Sequence, residues 1–272
     1  MEWVDNETAG LARAWFAVAL SAEVGDEPVT VRVLGQDHRI ARGDDRVVER
    51  YGLVWFAPEA PVCDIPDFKE WDDPSFDRSM NAPRRTTASA IQLTDNFLDA
   101  THLPFVHTGT FGVDSGAELP PHEVHRHGWR AWTTYVTPYR NYDDPLVATG
   151  EHPLVQEHHL FKELTPATTA LIRLQFPLTG GVLAILFACL PEDRTSTRIF
   201  KMMARNDFGG DAVKLADAVD FEERVLDEDL RILEAYRDMR VPLDPRVEVH
   251  TRNDKLSLAY RRVLSDLVAA DA

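Results

Sequence analysis

Asp95-Asn96-Phe97-Leu98-Asp99-Ala100-Thr101-His102-Leu103-Pro104-Phe105-Val106-His107 is the stretch that decides the reading of this chain. Asp99 and His102 are three apart, so on a helix they share a face. His107 lies five residues beyond His102, one step past the spacing that would stack the two rings. Pro104 stands between them and removes a backbone donor, so the helix must bend or unwind there. A distorted turn swings His107 back toward His102. Two neutral imidazoles converging on one point make a ready site for a divalent metal. The rest of the run is largely apolar, and buried polar groups need partners, of which a metal is one. A lone histidine in an apolar helix is usually a satisfied core residue; two with a carboxylate in this order ask for more.

Working outward, Thr87–Leu93 leads into this helix, and Thr108-Gly109-Thr110-Phe111-Gly112 ends it with glycine breakers. Residues 113–127 read as a loop carrying His122, His125 and His127. These three are a rival metal cluster, but the loop lacks apolar framing. Candidate strands follow at 129–137, 155–163, 169–176, 181–190 and 196–204, separated by Pro and Gly. Such short connections favour an antiparallel sheet. His158 and His159 alternate on one strand, so at most one faces a cavity, and which one depends on register. Phe97, Phe105, Phe176 and Phe187 are pocket candidates, but ordinary core packing is the better explanation for most of them.

Residues 211–238 carry the longest helical pattern, stopped by Pro242 and Pro245. Its apolar stripe includes Leu226, Leu230, Leu233 and Tyr236. Asp229 is three from Leu226 and four from Leu233, so it points with the stripe. A carboxylate there is costly unless it is paired or binds a metal. Asp227, Glu228 and Arg231 read as solvated. A final amphipathic helix spans about 254–268, with Leu256, Ala259, Tyr260, Val263 and Leu267 on one side. An antiparallel sheet wrapped around a long helix is an α+β arrangement with a cavity between the two.

The N-terminal part reads as β: 14–20, 29–34, a turn at Gly35-Gln36-Asp37, a return strand at 38–42, and one strand over 47–56. This is a thin basis for an independent core. Residues 57–78 form a connector. The expected division is therefore 1–78 and 79–272.

Composition narrows the classes further. The net charge of −16 argues against binding nucleic acid or an anionic membrane through bulk electrostatics. No apolar run approaches a membrane span. The start, with Glu2, Asp5 and Glu7, lacks the basic character of a signal peptide. The two cysteines, Cys63 and Cys189, belong to no C-x-x-C motif, and a reduced, cytoplasmic setting is the simplest expectation.

The 95–107 stretch closely resembles the catalytic motif of Rieske non-haem iron oxygenase α subunits, and the vanillate O-demethylase group is the branch it looks most like. Asn96, Asp99, His102 and His107 fill that family's N-x-x-D-x-x-H-x-x-x-x-H pattern in register. Glu228-Asp229-Leu230-Arg231-Ile232-Leu233-Glu234-Ala235 is similar to the context of the family's third iron ligand. Asp254–Arg262 resembles its closing helix. Ala14–Leu20, Leu34–Asp37 and Val48–Trp55 resemble the entry to and exit from its Rieske domain. The resemblance implies a helix-grip, START-like catalytic domain with a reduced N-terminal β remnant of a Rieske domain. It further implies a mononuclear Fe(II) held by His102, His107 and Asp229. Asp99 would hydrogen-bond toward a ligand histidine, and Asn96 would stand near the iron without being a regular ligand.

One departure matters. A Rieske 2Fe–2S centre needs two Cys and two His, which the family supplies as C-x-H and C-x-x-H. Cys63 is followed by Asp64 and Ile65, and Cys189 by Leu190, Pro191 and Glu192. Neither opens such a motif, and Gly43-Asp44-Asp45 joins entry strands almost directly to the exit strand. We expect no 2Fe–2S cluster in this chain. Two readings follow. In one, the chain is an oxygenase component that hydroxylates or oxidatively demethylates a small aromatic or lipophilic ring with O₂. Its electrons would come from a separate Rieske or ferredoxin-type protein and a reductase. In the other, the same fold serves a non-redox metal-dependent reaction or binds a lipophilic ligand.

Overall fold

A computed structural model describes residues 3–113 and 119–270. In the N-terminal segment, β1 (Trp3–Val4), β2 (Phe16–Leu20), β3 (Val29–Val33), β4 (Gln36–Ile40), β5 (Val47–Arg50) and β6 (Leu53–Phe56) are all short. They form a three-stranded sheet in the order β2-β6-β5 and a β3–β4 hairpin. Both hairpins differ from the sequence expectation. The first turns at Leu34-Gly35, not at 35–37, and the single strand expected over 47–56 is broken at Tyr51-Gly52. All four turn residues have positive φ: 51° and 77° in the first pair, 62° and 75° in the second. Two-residue turns of this hand match strand twist, and glycine normally announces them. A bulky Leu or Tyr in the first position hides that signal.

Tyr51 is held in this conformation from outside the turn. Its hydroxyl accepts from the Phe68 amide at 2.8 Å and donates to the Pro66 carbonyl at 3.1 Å. The connector is thereby tied to the hairpin just before α1 (Lys69–Asp72).

The rest of the chain builds one eight-stranded antiparallel sheet. Its strands are β7 (Asp77–Met80), β8 (Arg84–Thr86), β9 (Val124–His127), β10 (Arg130–Arg140), β11 (Val155–Thr165), β12 (Thr169–Phe176), β13 (Gly181–Asp193) and β14 (Ser196–Arg205). The order is β7-β14-β13-β12-β11-β10-β9, with β8 also pairing β14. β13 shows why the sheet is a middle layer. Alternate residues of a strand face opposite sides. Ala184, Leu186, Ala188 and Leu190 join the cluster that contains Phe16, Val18 and Trp55 of the N-terminal segment. Phe187 and Cys189 instead pack with Leu93 and with Leu226, Leu230 and Leu233. Both faces are buried, which is why this strand reads as an unbroken apolar run.

The helices are α2 (Ala90–Leu98), α3 (Leu103–Val106), α4 (Pro145–Thr149), α5 (Ala212–Leu233) and α6 (Lys255–Ala269). Asp211 caps α5 by accepting from the Val213 and Lys214 amides, and the helix packs its Leu226/Leu230/Leu233 stripe toward the sheet. It ends earlier than expected, so Tyr236 lies beyond it and is exposed. The expected apolar side of α6 is buried throughout. β1 pairs with the two-residue β15 (Val241–Pro242), and one hydrophobic cluster takes in residues from Val4 to Leu267. The architecture is α+β, as expected, with the antiparallel sheet packed on the long helix. No described helix is long and apolar enough to cross a membrane.

Tyr51→Phe removes the partner of both the Phe68 amide and the Pro66 carbonyl. Leaving a buried donor unmatched costs about 1–3 kcal/mol, so the variant is expected to lose about that much stability in urea unfolding, with an unchanged m-value. Wild-type stability would show that the connector is not tied here.

Candidate metal centre

Ser89 caps α2 by accepting from the Ile91 amide, and the helix runs to Leu98. It then stops, with Asp99 in an extended conformation. Asp99 and His102 are therefore not on one helix face, as their spacing predicts. A polar turn joins them instead. Asp99 Oδ1 accepts from the Thr101 amide and hydroxyl, and Oδ2 accepts from the His102 amide at 2.9 Å and lies 2.9 Å from His102 Nδ1. Pro104 sits in the first turn of the one-turn α3, with His102 before it and His107 after it. The break does bring the two rings together, with centroids 5.2 Å apart. Gly112 closes the turn tightly: its amide donates to the His107 carbonyl at 2.9 Å. A Cβ at this position would lie 2.6 Å from the Leu103 oxygen, so only glycine fits.

Asp229 of α5 meets both rings. Its Oδ1 lies 3.5 Å from His102 Nε2 and 3.3 Å from His107 Nε2. It is buried and makes no hydrogen bond. The three ligand atoms lie within 4.8 Å of one another, and among the described residues this is the group that brings three such atoms together. Ligands about 2.1 Å from one ion in adjacent octahedral positions stand about 3 Å apart. The donor set therefore fits a divalent ion, and the unmatched carboxylate oxygen is the atom that such an ion would satisfy.

The outer nitrogens fix the rings. His102 Nδ1 faces Asp99, and His107 Nδ1 faces Glu228 Oε2 at 2.8 Å. Each Nδ1–H thus donates to a carboxylate, which leaves both Nε2 lone pairs turned inward. Thr110 also donates to Glu228 Oε2, at 2.9 Å. Glu228 is a correction to the sequence reading, which placed it in solvent. Nothing in the helical pattern marks it, because its partners lie across the fold. Asn96 stands beside the Asp229 carboxylate and helps to hold it in its charged form. Burial would raise the Asp99 carboxyl, but its bonds to His102 and Thr101 outweigh this and hold it well below the usual range. Burial would lower His107, yet Asp229 and Glu228 raise it. Asp229 opposes its own burial through His107 and His102 and stays low.

Behind the cluster lies a cavity of about 90 Å³. Phe97, Leu103, Phe111, Leu160, Ile172, Leu174, Leu183, Ile185 and Val225 give it apolar walls, and Tyr139, His158, Lys162 and Glu222 add polar ones. Of the four candidate phenylalanines, Phe97 lines it and stacks on Phe187 at 4.6 Å. Phe176 packs in the adjoining core, and Phe105 is 73% exposed. Of the two strand histidines, His158 faces inward. Lys162 was not singled out from sequence. Its ammonium donates to the Phe97 carbonyl at 2.9 Å and to the Asp99 carbonyl, so it holds the end of α2. Burial pushes its pKa down to about 8 against the pull of Asp99 and Asp229. A second depression on the outer surface is lined by Asp95, Asn96, Asp99, Thr101, His102 and Asp229, so the cluster stands between cavity and surface.

The rival histidines do not converge. His125 and His127 lie on β9 rather than in a loop, with His125 against Trp132, while His122 Nδ1 faces the Pro120 carbonyl. Part of the expected 113–127 loop, residues 114–118, lies outside the described residues.

Residues 86–270 match the family model described as the vanillate O-demethylase oxygenase C-terminal domain. The chain is similar to a protein of Pseudomonas sp. (strain TJI-51) described as a probable methylxanthine N7-demethylase, NdmC. The two are 27% identical over 270 residues, 93% of each chain. It is also 27% identical to the methylxanthine N1-demethylase NdmA of Pseudomonas putida over 227 residues, which span 82% of this chain and 60% of that one. In fold it is similar to NdmA of Pseudomonas putida CBB5 with caffeine, with a TM-score of 0.81 at 21% identity over 98% of this chain and 94% of that one. Dicamba monooxygenase bound to 3,6 dichlorosalicylic acid gives a TM-score of 0.76 at 16% identity over 96% and 98%. The family match covers well over half of the chain and includes the whole converging cluster, so the chain belongs to the vanillate O-demethylase oxygenase family, oxidoreductases of the Rieske-oxygenase class.

Proposed function

We propose that this chain is the mononuclear non-haem Fe(II) component of an oxygenase that hydroxylates or oxidatively demethylates a small aromatic or lipophilic ring. One observation carries the reading: two inward Nε2 lone pairs and an unmatched Asp229 oxygen converge at the mouth of a mostly apolar cavity. His102, His107 and Asp229 are the proposed ligands, a two-histidine, one-carboxylate set that leaves coordination positions open. Iron held there would supply the binding and reductive activation of O₂.

The chain's own residues prepare the site. Asp99 and Glu228 hold the imidazoles in the ligating tautomer. Asn96 orients the Asp229 carboxylate, and Lys162 fixes the carbonyls beside Asp99. The apolar walls exclude water from the reacting ring, and the small volume favours compact substrates. The demethylase and monooxygenase names of the relatives support methylated and substituted aromatic rings as the class to test. We assign residues 79–272 to the catalytic domain and residues 1–78 to a reduced Rieske-like segment without a 2Fe–2S cluster. Electrons would then come from a separate Rieske or ferredoxin-type protein with its reductase. The outer depression at Asp99 and His102 is the side on which they would arrive.

Three outcomes test this. First, anaerobic Fe(II) reconstitution should give one iron per chain without iron–sulfur absorption bands. His102→Ala, His107→Ala and Asp229→Ala should each lose stoichiometric iron while keeping the far-UV circular dichroism of the parent, and Asp227→Ala should bind normally. Full iron retention in all three ligand variants, or a preference for zinc alone, would remove the assignment.

Second, Glu228→Ala frees the His107 ring, and loss of such an outer partner costs about 10–100-fold in metal affinity. Competition with a chelator should show a drop of that size, partly restored in Glu228→Gln. An unchanged affinity would mean that His107 is oriented by other contacts.

Third, the iron-loaded chain with NADH and a reductase alone should release no formaldehyde from vanillate or caffeine. Adding a Rieske-type donor protein, or substituting hydrogen peroxide for donor and O₂, should release it from at least one of them. Efficient turnover with the reductase alone would contradict the proposed electron route.

A further inference from the structure

Two buried polar atoms without a hydrogen-bond partner belong to residues lining the cavity: Asp229 Oδ1 and His158 Nδ1. The metal reading accounts for the first. The second lies at another part of the wall. From His107, a run of ring contacts leads through Phe111 at 4.9 Å and Tyr139 at 5.5 Å to His158 at 5.1 Å. Two aromatic rings therefore link His158 to the ligand histidine in a continuous run of contacts. The His158 side chain is fixed on the inner face of β11, opposite Thr137 of β10, and is 2% exposed. Burial, with Lys162 and His159 nearby, pushes its pKa down to about 3, so the ring is neutral in ordinary buffers.

A neutral imidazole has one donor and one acceptor nitrogen. Nε2 lies 2.9 Å from the Thr137 hydroxyl, which has no other hydrogen-bond partner among the described residues. If Nε2–H donated to Thr137, the hydroxyl proton would be left without an acceptor whatever the cavity held. If the hydroxyl donates to Nε2, the proton moves to Nδ1. A ligand acceptor then satisfies the last buried donor, leaving only spare oxygen lone pairs, the cheaper kind of mismatch. The neighbouring part of the same sheet face, with Ile172 and Leu174 of β12 and Leu183 and Ile185 of β13, offers a ligand only apolar contact. The nearby Lys162 cation also favours an electron-rich group.

We propose that His158 is the recognition residue of this cavity: its Nδ1–H donates to a carbonyl oxygen or ring nitrogen on the substrate edge remote from the metal ligands. The substrate class is then a planar ring with a methyl or C–H to be oxidised at one end and a hydrogen-bond acceptor at the other. This rests on reading the cavity as the substrate pocket.

The test uses an isosteric pair, acetophenone and α-methylstyrene, which differ by a carbonyl oxygen in place of a methylene. Binding to the full chain is measured by calorimetry, with iron stoichiometry determined on the same preparations. The wild type is expected to prefer acetophenone by at least tenfold. His158→Phe should bind α-methylstyrene as the parent does and lose the preference, and His158→Gln, which keeps an N–H donor, should retain part of it. Equal binding of the two probes by the wild type, binding of neither, or a preference that survives in both variants would overturn the proposal. Should His158→Phe not fold, the reduced preference of His158→Gln decides. Iron stoichiometry separates the two readings: a lost preference with normal iron concerns His158 alone, and a carbonyl preference without iron refutes the metal reading and leaves a ligand pocket.

Discussion

A buried carboxylate oxygen facing two imidazole nitrogens is the constraint on which the rest of this structure depends. Asp229 Oδ1 has no hydrogen bond, and the Nε2 atoms of His102 and His107 lie 3.5 Å and 3.3 Å from it. With both Nδ1 atoms donating to carboxylates, those nitrogens carry lone pairs. Three electron-rich atoms turned toward one point in a region poor in water repel one another. A cation or a proton must offset that repulsion, and the fold has to hold the arrangement until one does. The raised His107 and lowered Asp229 pKa values express the same tension in the cation-free protein, where a proton is the available counter-charge.

Holding the arrangement requires a break in the helix and a clamp around it. α2 ends at Leu98 because Asp99 turns its side chain onto the Thr101 and His102 amides, and those bonds replace the helical ladder. The freed carbonyls of Phe97 and Asp99 would be orphaned in the interior, and Lys162 from β11 takes both. Pro104 then restarts one turn, Gly112 lets the chain fold back against it, and Glu228 pins the far side of His107. Sheet, short helix and long helix each contribute one restraint. The site therefore exists only when the sheet is fully packed, which ties metal affinity to tertiary stability.

Much of this was legible in the sequence. His102, His107 and Asp229 announced themselves because charged or polar residues stood where an apolar face was due, and Pro104 showed that the helix could not continue. The strands β10 to β14 of the large sheet were legible from apolar runs between Pro and Gly, whereas β7, β8 and β9 are short and polar and gave no such signal. Glu228 was not, because its partner is more than a hundred residues away and its own helix position looks solvated. Lys162 and His158 were hidden by register: Gln156, His158, Leu160, Lys162 and Leu164 share the inner face of β11, yet a shift by one residue would have turned all five outward. The N-terminal hairpins were misplaced because Leu34 and Tyr51 occupy turn positions where local chemistry favours glycine or asparagine.

The position of the N-terminal segment follows from the same physics as the site. β13 is apolar on both faces, so the sheet cannot be left with one side in water, and the side away from α5 is covered by β2, β3 and their neighbours. A segment too small to hold its own core is stabilised by a sheet that needs a cover, and the sheet is in turn insulated by it. Whatever chemistry this segment has or lacks, removing it would expose Leu186, Leu190 and Met202 and loosen the strands whose other face carries the cavity. That mutual dependence gives the segment a structural role independent of any chemistry it carries. It also explains why the hydroxyl of Tyr51 reaches across to the connector: the cover must be fastened at its edge as well as packed at its centre.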